Sequence, residues 1–241
     1  GGGGDDHSAL SRAQSSNAMK RTFSTGSVDQ AGVLSGGESD DDLKDDDEEL
    51  DSVGKLLEKM VFSERSFVSE ISPIVDVYLA ACRSTPGCLS SNDQSVIFDN
   101  ATTVVNFHRR LLAELQQTLA KYPTIPVGLI FLSHLDDLTE YSHMLANVTR
   151  AIETIERCAK SSKPFNSLLR DVSKNTLPLE KLLRLPTTRL SHYSATLYEM
   201  ASLCENEKTE AADLLSEASE SFGNKVSEIE KTALMADNLA K

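Results

Sequence analysis

This chain of 241 residues lacks several features, and each absence removes a class of function. No apolar run approaches the ~20 residues of a membrane-spanning helix; the longest lies around Val127–Leu132. No apolar segment near the N-terminus reads as a secretory signal. Cys82, Cys88, Cys158 and Cys204 form no CxxC pair and have no nearby His at metal-ligand spacing, so they read as free thiols of a reducing compartment. There is no GxxxxGK[ST] or GxGxxG loop to cradle phosphates, and no GxSxG elbow. His134 and His143 stand nine residues apart, unlike the HExxH spacing. An excess of base is missing too: 24 Lys and Arg face 37 Asp and Glu, a formal charge of -13, which argues against a nucleic-acid ligand. The expectation is a cytoplasmic protein with no metal, no cofactor and no covalent chemistry of its own.

What is present divides at about residue 50. Residues 1–50 form a Gly/Ser/Asp-rich tail that carries much of the acidity, ending in Asp40–Leu50. A segment so poor in apolar residues cannot offset its ordering entropy and is expected to be disordered. Ser39 ahead of three aspartates resembles an acidophilic kinase site, and Arg21-Thr22-Phe23-Ser24 a basophilic one. From Asp51 to the end the pattern is helical. Asp51 or Ser52 caps a first helix running to about Ala81, and Ser91 or Asn92 caps a second through Leu119. Pro123 and Pro126 break the chain before Val127–Leu145 and Val148–Cys158, and Lys163-Pro164 opens a short helix. A long helix from Pro178 to about Leu203 contains Pro186, and the last spans roughly Lys208–Ala240. With no alternating strand run and no internal repeat, residues 51–241 are expected to form an all-α, elongated bundle of about six helices.

Glu64 stands out within the first helix. Leu57, Met60, Phe67, Ile71, Ile74 and Tyr78 follow helical spacing, and Glu64 projects near the centre of their apolar stripe. A carboxylate there is costly unless it is paired, hydrogen-bonded or open to a partner. Two readings follow from the residues alone: a buried mate for Arg189 or another base, or a contact point for a second protein.

Three stretches carry a family resemblance. Leu56–Ile71 reads LLEKMVFSERSFVSEI, Leu89–Leu115 reads LSSNDQSVIFDNATTVVNFHRRLLAEL, and Leu179–Met200 reads LEKLLRLPTTRLSHYSATLYEM. In order and at family spacing, they resemble the Dbl-homology domain of Rho-family guanine-nucleotide exchange factors. In the first, Ser63-Glu64-Arg65 is similar to a TER string; in the second, Ile97, Phe98 and Asn100 match an IFxN string. In the third, Leu182, Leu183, Pro186, Arg189, Tyr193, Leu197 and Glu199 fall in register.

The resemblance implies a domain that binds a Rho-family small GTPase, remodels its switch regions and speeds GDP release by favouring the nucleotide-free state. Carried over by motif, Glu64 meets the first switch, on a seam the bundle leaves open, while Arg184, Leu185, Arg189 and Asn224 serve the second. Leu185 departs from the pattern, since the family usually has a lysine before this proline. Losing a charge-assisted hydrogen bond there costs about 1.5–3 kcal/mol. Helical phase puts Gly223 rather than Asn224 at the matching place on the last helix, so both stay in view. The divergent third stretch resembles fungal factors of budding and septation, which implies recruitment to the cell cortex or division site. Two alternatives remain: a non-catalytic scaffold of the same fold, and an unrelated helical adaptor. The acidic run Asp40–Glu49 reads as a solvating tail or as an intramolecular mask over the GTPase surface.

Overall fold

Asp51 fixes where the described structure begins to be regular. Its carboxylate accepts the Gly54 backbone N–H at 2.7 Å, capping α1 (Ser52–Ile71). The computed structural model describes residues 50–239, so the expectations about the tail and its two kinase-like sites lie outside the described residues. Those residues contain no strand, and the all-α expectation holds for them.

The first expected helix is continuous but not uniform. Pro73 lacks an N–H, and beyond it the chain widens into a π-helical stretch, Ile74–Leu79, before α2 (Ala80–Ser84). Ser72, Pro73 and Ala80 all keep helical dihedrals, so the rod continues in the same direction. The second expected helix is in fact two. Its cap is Ser90, one residue before the expected position, and α3 (Ser91–Phe98) stops at Asp99. Asn100 then adopts φ 51°, a left-handed conformation that Asn tolerates better than most residues, and α4 (Ala101–Ala120) starts afresh.

After the prolines, α5 (Val127–Ser133) and α6 (Leu138–Ser161) follow, the latter running unbroken past Leu145. Ser162 caps α7 (Lys163–Val172), with Pro164 in its first turn. Pro186 does not sit inside one long helix. It splits that segment into α8 (Leu179–Arg184), a 3₁₀ turn over Leu185–Thr188, and α9 (Arg189–Leu203). The last helix, α10, spans Glu210–Leu239.

Packing follows from the apolar stripes. α10 lies against α5, α9 and α6, α1 lies between α4 and α9, and α3 covers α6. A single buried apolar cluster runs through every one of these helices. At Gly128 on α5, an added Cβ would overlap the Leu214 carbonyl of α10, so only glycine permits this approach. His134, just after α5, places Nδ1 2.7 Å from Asp137 and Nε2 2.9 Å from Glu114, tying α4 to the start of α6. All four cysteines are free and buried. No helix among the described residues is long and apolar enough to cross a membrane.

Candidate functional site: a groove over a buried charge network

The apolar stripe of α1 carries Glu64 into the core, where it is 0% exposed. Two neighbouring helices present three polar groups to it, Arg189 and Tyr193 from α9 and His108 from α4. The 3₁₀ turn at Pro186 brings Arg189 in at the start of α9, and its Nη2 and Nε donate to Oε2 at 2.6 and 3.1 Å. One turn on, the Tyr193 hydroxyl donates to the same oxygen in a short hydrogen bond. From α4, His108 Nδ1 lies 2.8 Å from Oε1. The outer shell closes the network: Arg189 Nη1 donates to Ser63 Oγ at 2.7 Å, while Tyr141 of α6 reaches His108 Nε2 at 3.2 Å and the Pro186 carbonyl at 3.1 Å. The guanidinium also lies 4.8 Å from the centres of the Phe67 and Tyr193 rings.

The charges balance. Burial raises the Glu64 carboxyl, but the hydrogen bond of His108, then the charge of Arg189 and the hydrogen bond of Tyr193, outweigh it and hold the group below its ordinary value. Burial pushes His108 down, so it is neutral; Nδ1–H then donates to Glu64, and Nε2 shares the single Tyr141 hydroxyl proton with the Pro186 carbonyl. Burial, reinforced by the Glu64 charge, drives both tyrosine hydroxyls well above their usual range, so they remain donors. No buried side-chain polar atom among the described residues lacks a partner.

This corrects the reading of Glu64 as a charge on an open seam. Both its oxygens are occupied, and its carboxylate has no surface to offer a partner. Arg189 is likewise buried, at 6% exposure, and is committed to the same network. Arg184 is exposed at the end of α8, where its carbonyl accepts the Thr187 hydroxyl at 2.7 Å. Leu185 is half-buried against the core, an environment that suits its apolar side chain. Asn224 is exposed on α10 and Gly223 half-buried beside it.

What the network does is hold α1 and α9 side by side. Above it their outer residues enclose a groove of about 390 Å³, lined by Lys59, Ser63, Arg189, His192, Thr196 and Glu199, with Leu56 and Met60 beneath. On the other flank of α9, towards α10, lies a wider groove of about 920 Å³ that includes Ser194, Tyr198, Glu220, Gly223 and Asn224. The sequence-expected residues are thereby divided: Glu64 and Arg189 form the foundation, Asn224 and Gly223 line the second groove, and Arg184 and Leu185 line neither. Lys59, His192 and Thr196 hold none of the matched family positions, and Glu199 matches by register alone. The available signal was positional, because each stands at the edge of an apolar stripe. No group of three His, Cys, Asp or Glu among the described residues could hold a metal.

Residues 56–230 match the family model of the RhoGEF domain. Human pleckstrin homology domain-containing family G member 3 is 24% identical over 161 residues, covering 66% of this chain and 13% of that protein. Mouse Rho guanine nucleotide exchange factor TIAM2 is 23% identical over 202 residues, 76% of this chain and 12% of its own. The chain thus spans about an eighth of the curated relatives it matches. The DH domain of FARP2 superposes with a TM-score of 0.68 at 19% identity, covering 79% of this chain and 94% of that one. The DH/PH domains of p115-RhoGEF give 0.69 at 13% identity, with 78% and 57% covered. At these identities the structural likeness is one of fold.

Proposed function

The chain belongs to the RhoGEF-domain family, and from that premise we propose that residues 51–241 bind a Rho-family small GTPase and accelerate its release of GDP. The observation that carries this reading is the groove in which α1 and α9 lie side by side over a fully satisfied charge network. Exchange requires a surface that binds the nucleotide-free GTPase more tightly than the loaded one. A face that does not reorganise on binding spends less of its interaction energy on its own ordering. In this reading Lys59, Ser63, His192, Thr196 and Glu199 make the contacts, with Asn224 at the rim across α9. Glu64 and Arg189 act through position, by fixing the two helices that carry those residues.

The test is release of fluorescent GDP from a panel of Rho-family GTPases. The full chain accelerates release from at least one member, and Lys59→Ala with His192→Ala lowers that acceleration by about tenfold, as expected for two polar contacts of ~0.7 kcal/mol each. Acceleration of none of the panel would sink the exchange reading and leave the non-catalytic scaffold. Acceleration unaffected by the double substitution would move the contact surface away from the α1–α9 groove.

A further inference from the structure

The charge of this acidic chain reverses at one end of the bundle. Between Arg157 and Lys174 the sequence carries Arg157, Lys160, Lys163, Arg170 and Lys174 against a single carboxylate, Asp171, in a chain whose formal charge is -13. All five cations are exposed. Asp171 is held by Lys174 at 2.7 Å, and Arg157 pairs with Asp93 of α3. Lys160 and Lys163 make no ion pair among the described residues, and Arg170 shares only the field of the already paired Asp171. Glu153 and Glu156 are the acidic residues next along α6.

The fold gathers these charges. In α7, Lys163 and Arg170 are seven residues apart and so share the outward face, and Lys174 follows in the turn after its end. Phe165, Leu168, Leu169 and Val172 turn inward against the core. The Ser162 hydroxyl donates to the Cys88 carbonyl at 2.8 Å and anchors the start of α7 to the loop after α2. α7 also packs on α2, which adds the exposed Arg83. Leu177, 43% exposed, and the exposed Pro86 and Pro164 lie in the same segments.

We propose that this end, α7 with the C-terminal turn of α6, docks on an anionic lipid surface. The occupant follows from the kind of surface. Long cationic side chains stand on the outside of a helix held rigidly by its inner face, which suits a fluid sheet of negative headgroups. A folded acidic partner would call for an aromatic or buried anchor, and the aromatic of α7, Phe165, is 0% exposed. The repulsion of distant carboxylates is screened beyond a Debye length of ~8 Å at physiological salt. The contact is electrostatic and does not insert a helix.

The docking end is well separated from the α1–α9 groove. From Ser63, the groove residue of α1 nearest to this end, helical backbone runs to Ser84, roughly 32 Å at ~1.5 Å per residue. A membrane at α7 therefore leaves the groove uncovered.

The experiment is co-sedimentation of the full chain with vesicles of phosphatidylcholine alone, or with about 30% phosphatidylserine added, at roughly 0.15 M salt. The chain binds the anionic vesicles only, and raising salt to about 0.5 M releases it. Each cation removed lowers the partition coefficient roughly fivefold, so Lys160→Glu, Lys163→Glu and Arg170→Glu together abolish sedimentation. The paired control, Arg65→Glu with Lys121→Glu, changes the same kind of exposed residue elsewhere and retains binding. Helical circular dichroism and the unfolding midpoint stay the same in both variants. No binding by the wild-type chain, equal binding to neutral vesicles, or equal loss in the control overturns the proposal. Capture of the chain by soluble polyglutamate without vesicle binding also overturns it, and assigns the patch to an acidic protein.

Discussion

At the scale of single residues, Glu64 shows how a charge is kept in a core. Its removal leaves the Arg189 guanidinium buried without its counter-ion, and breaking a buried pair from one side costs about 3–5 kcal/mol. Glu64→Ala is therefore expected to lower the unfolding free energy measured in urea by that amount. Glu64→Leu combined with Arg189→Leu should cost markedly less than the sum of the two single changes, because no orphaned charge remains. Additive costs would show that the pair is not coupled. Any exchange lost in Glu64→Ala would then track the unfolded fraction rather than a missing contact. The same network gives stability a direction in pH. His108 is held below its ordinary value of 6.5, so the unfolded chain takes up a proton that the folded one refuses. Stability is full above about pH 6.5 and falls as the pH drops below it, by up to ~1.4 kcal/mol per unit. Glu64 is held below its ordinary 4.5, and its contribution disappears only at more acid pH, as the folded carboxylate takes up its proton. Unfolding midpoints measured between pH 7.5 and 5.5 should decline in the wild type and decline less in His108→Gln. A wild-type midpoint flat across that window would refute the neutral His108.

At the scale of elements, backbone conformation determines what periodicity could not. Helical spacing continues across Phe98 and Val104 with little interruption, yet the chain turns at Asn100 because that residue adopts φ 51°. Pro186 breaks the α8–α9 segment by removing a donor, and the resulting 3₁₀ turn aims Arg189 at Glu64. The interface of α5 with α10 depends on the missing side chain of Gly128. Gly128→Ala would press a methyl group into the Leu214 backbone carbonyl, which cannot rotate away. The expected cost is about 1–3 kcal/mol of overpacking. Gly223→Ala provides the comparison: its Cβ would meet only the Ser194 hydroxyl oxygen at 3.3 Å, and alanine favours a helix interior by up to ~1 kcal/mol over glycine. Urea unfolding should separate the two substitutions clearly. Equal midpoints would mean that α5 and α10 are free to move apart.

At the scale of the whole molecule, one apolar cluster connects every helix of the described residues, so they are expected to unfold as a unit. The chain has no tryptophan and five tyrosines, of which Tyr78, Tyr141 and Tyr193 are fully buried. Tyrosine fluorescence and helical dichroism should therefore report coincident transitions, and separated ones would reveal an end of the bundle melting on its own. The sequence by itself did not determine the break at Pro186, but it did determine the helical class, the break at Pro123 and Pro126, and the family, because these depend on local spacing and short strings such as SER and LLRLP. It also marked Glu64 as a position in need of an explanation. It did not choose between a buried pair and an exposed contact, since the same stripe position serves both and the choice rests on what stands opposite. Only the tertiary structure brought His108, Tyr141, Arg189 and Tyr193 together from three other helices to surround that carboxylate. The groove is a product of the same packing: Lys59 and His192 are far apart in the chain and become neighbours only once α1 and α9 are locked together. Spacing within a helix is a local property of the sequence; the pairing of charges between helices is settled by the core that brings them into contact.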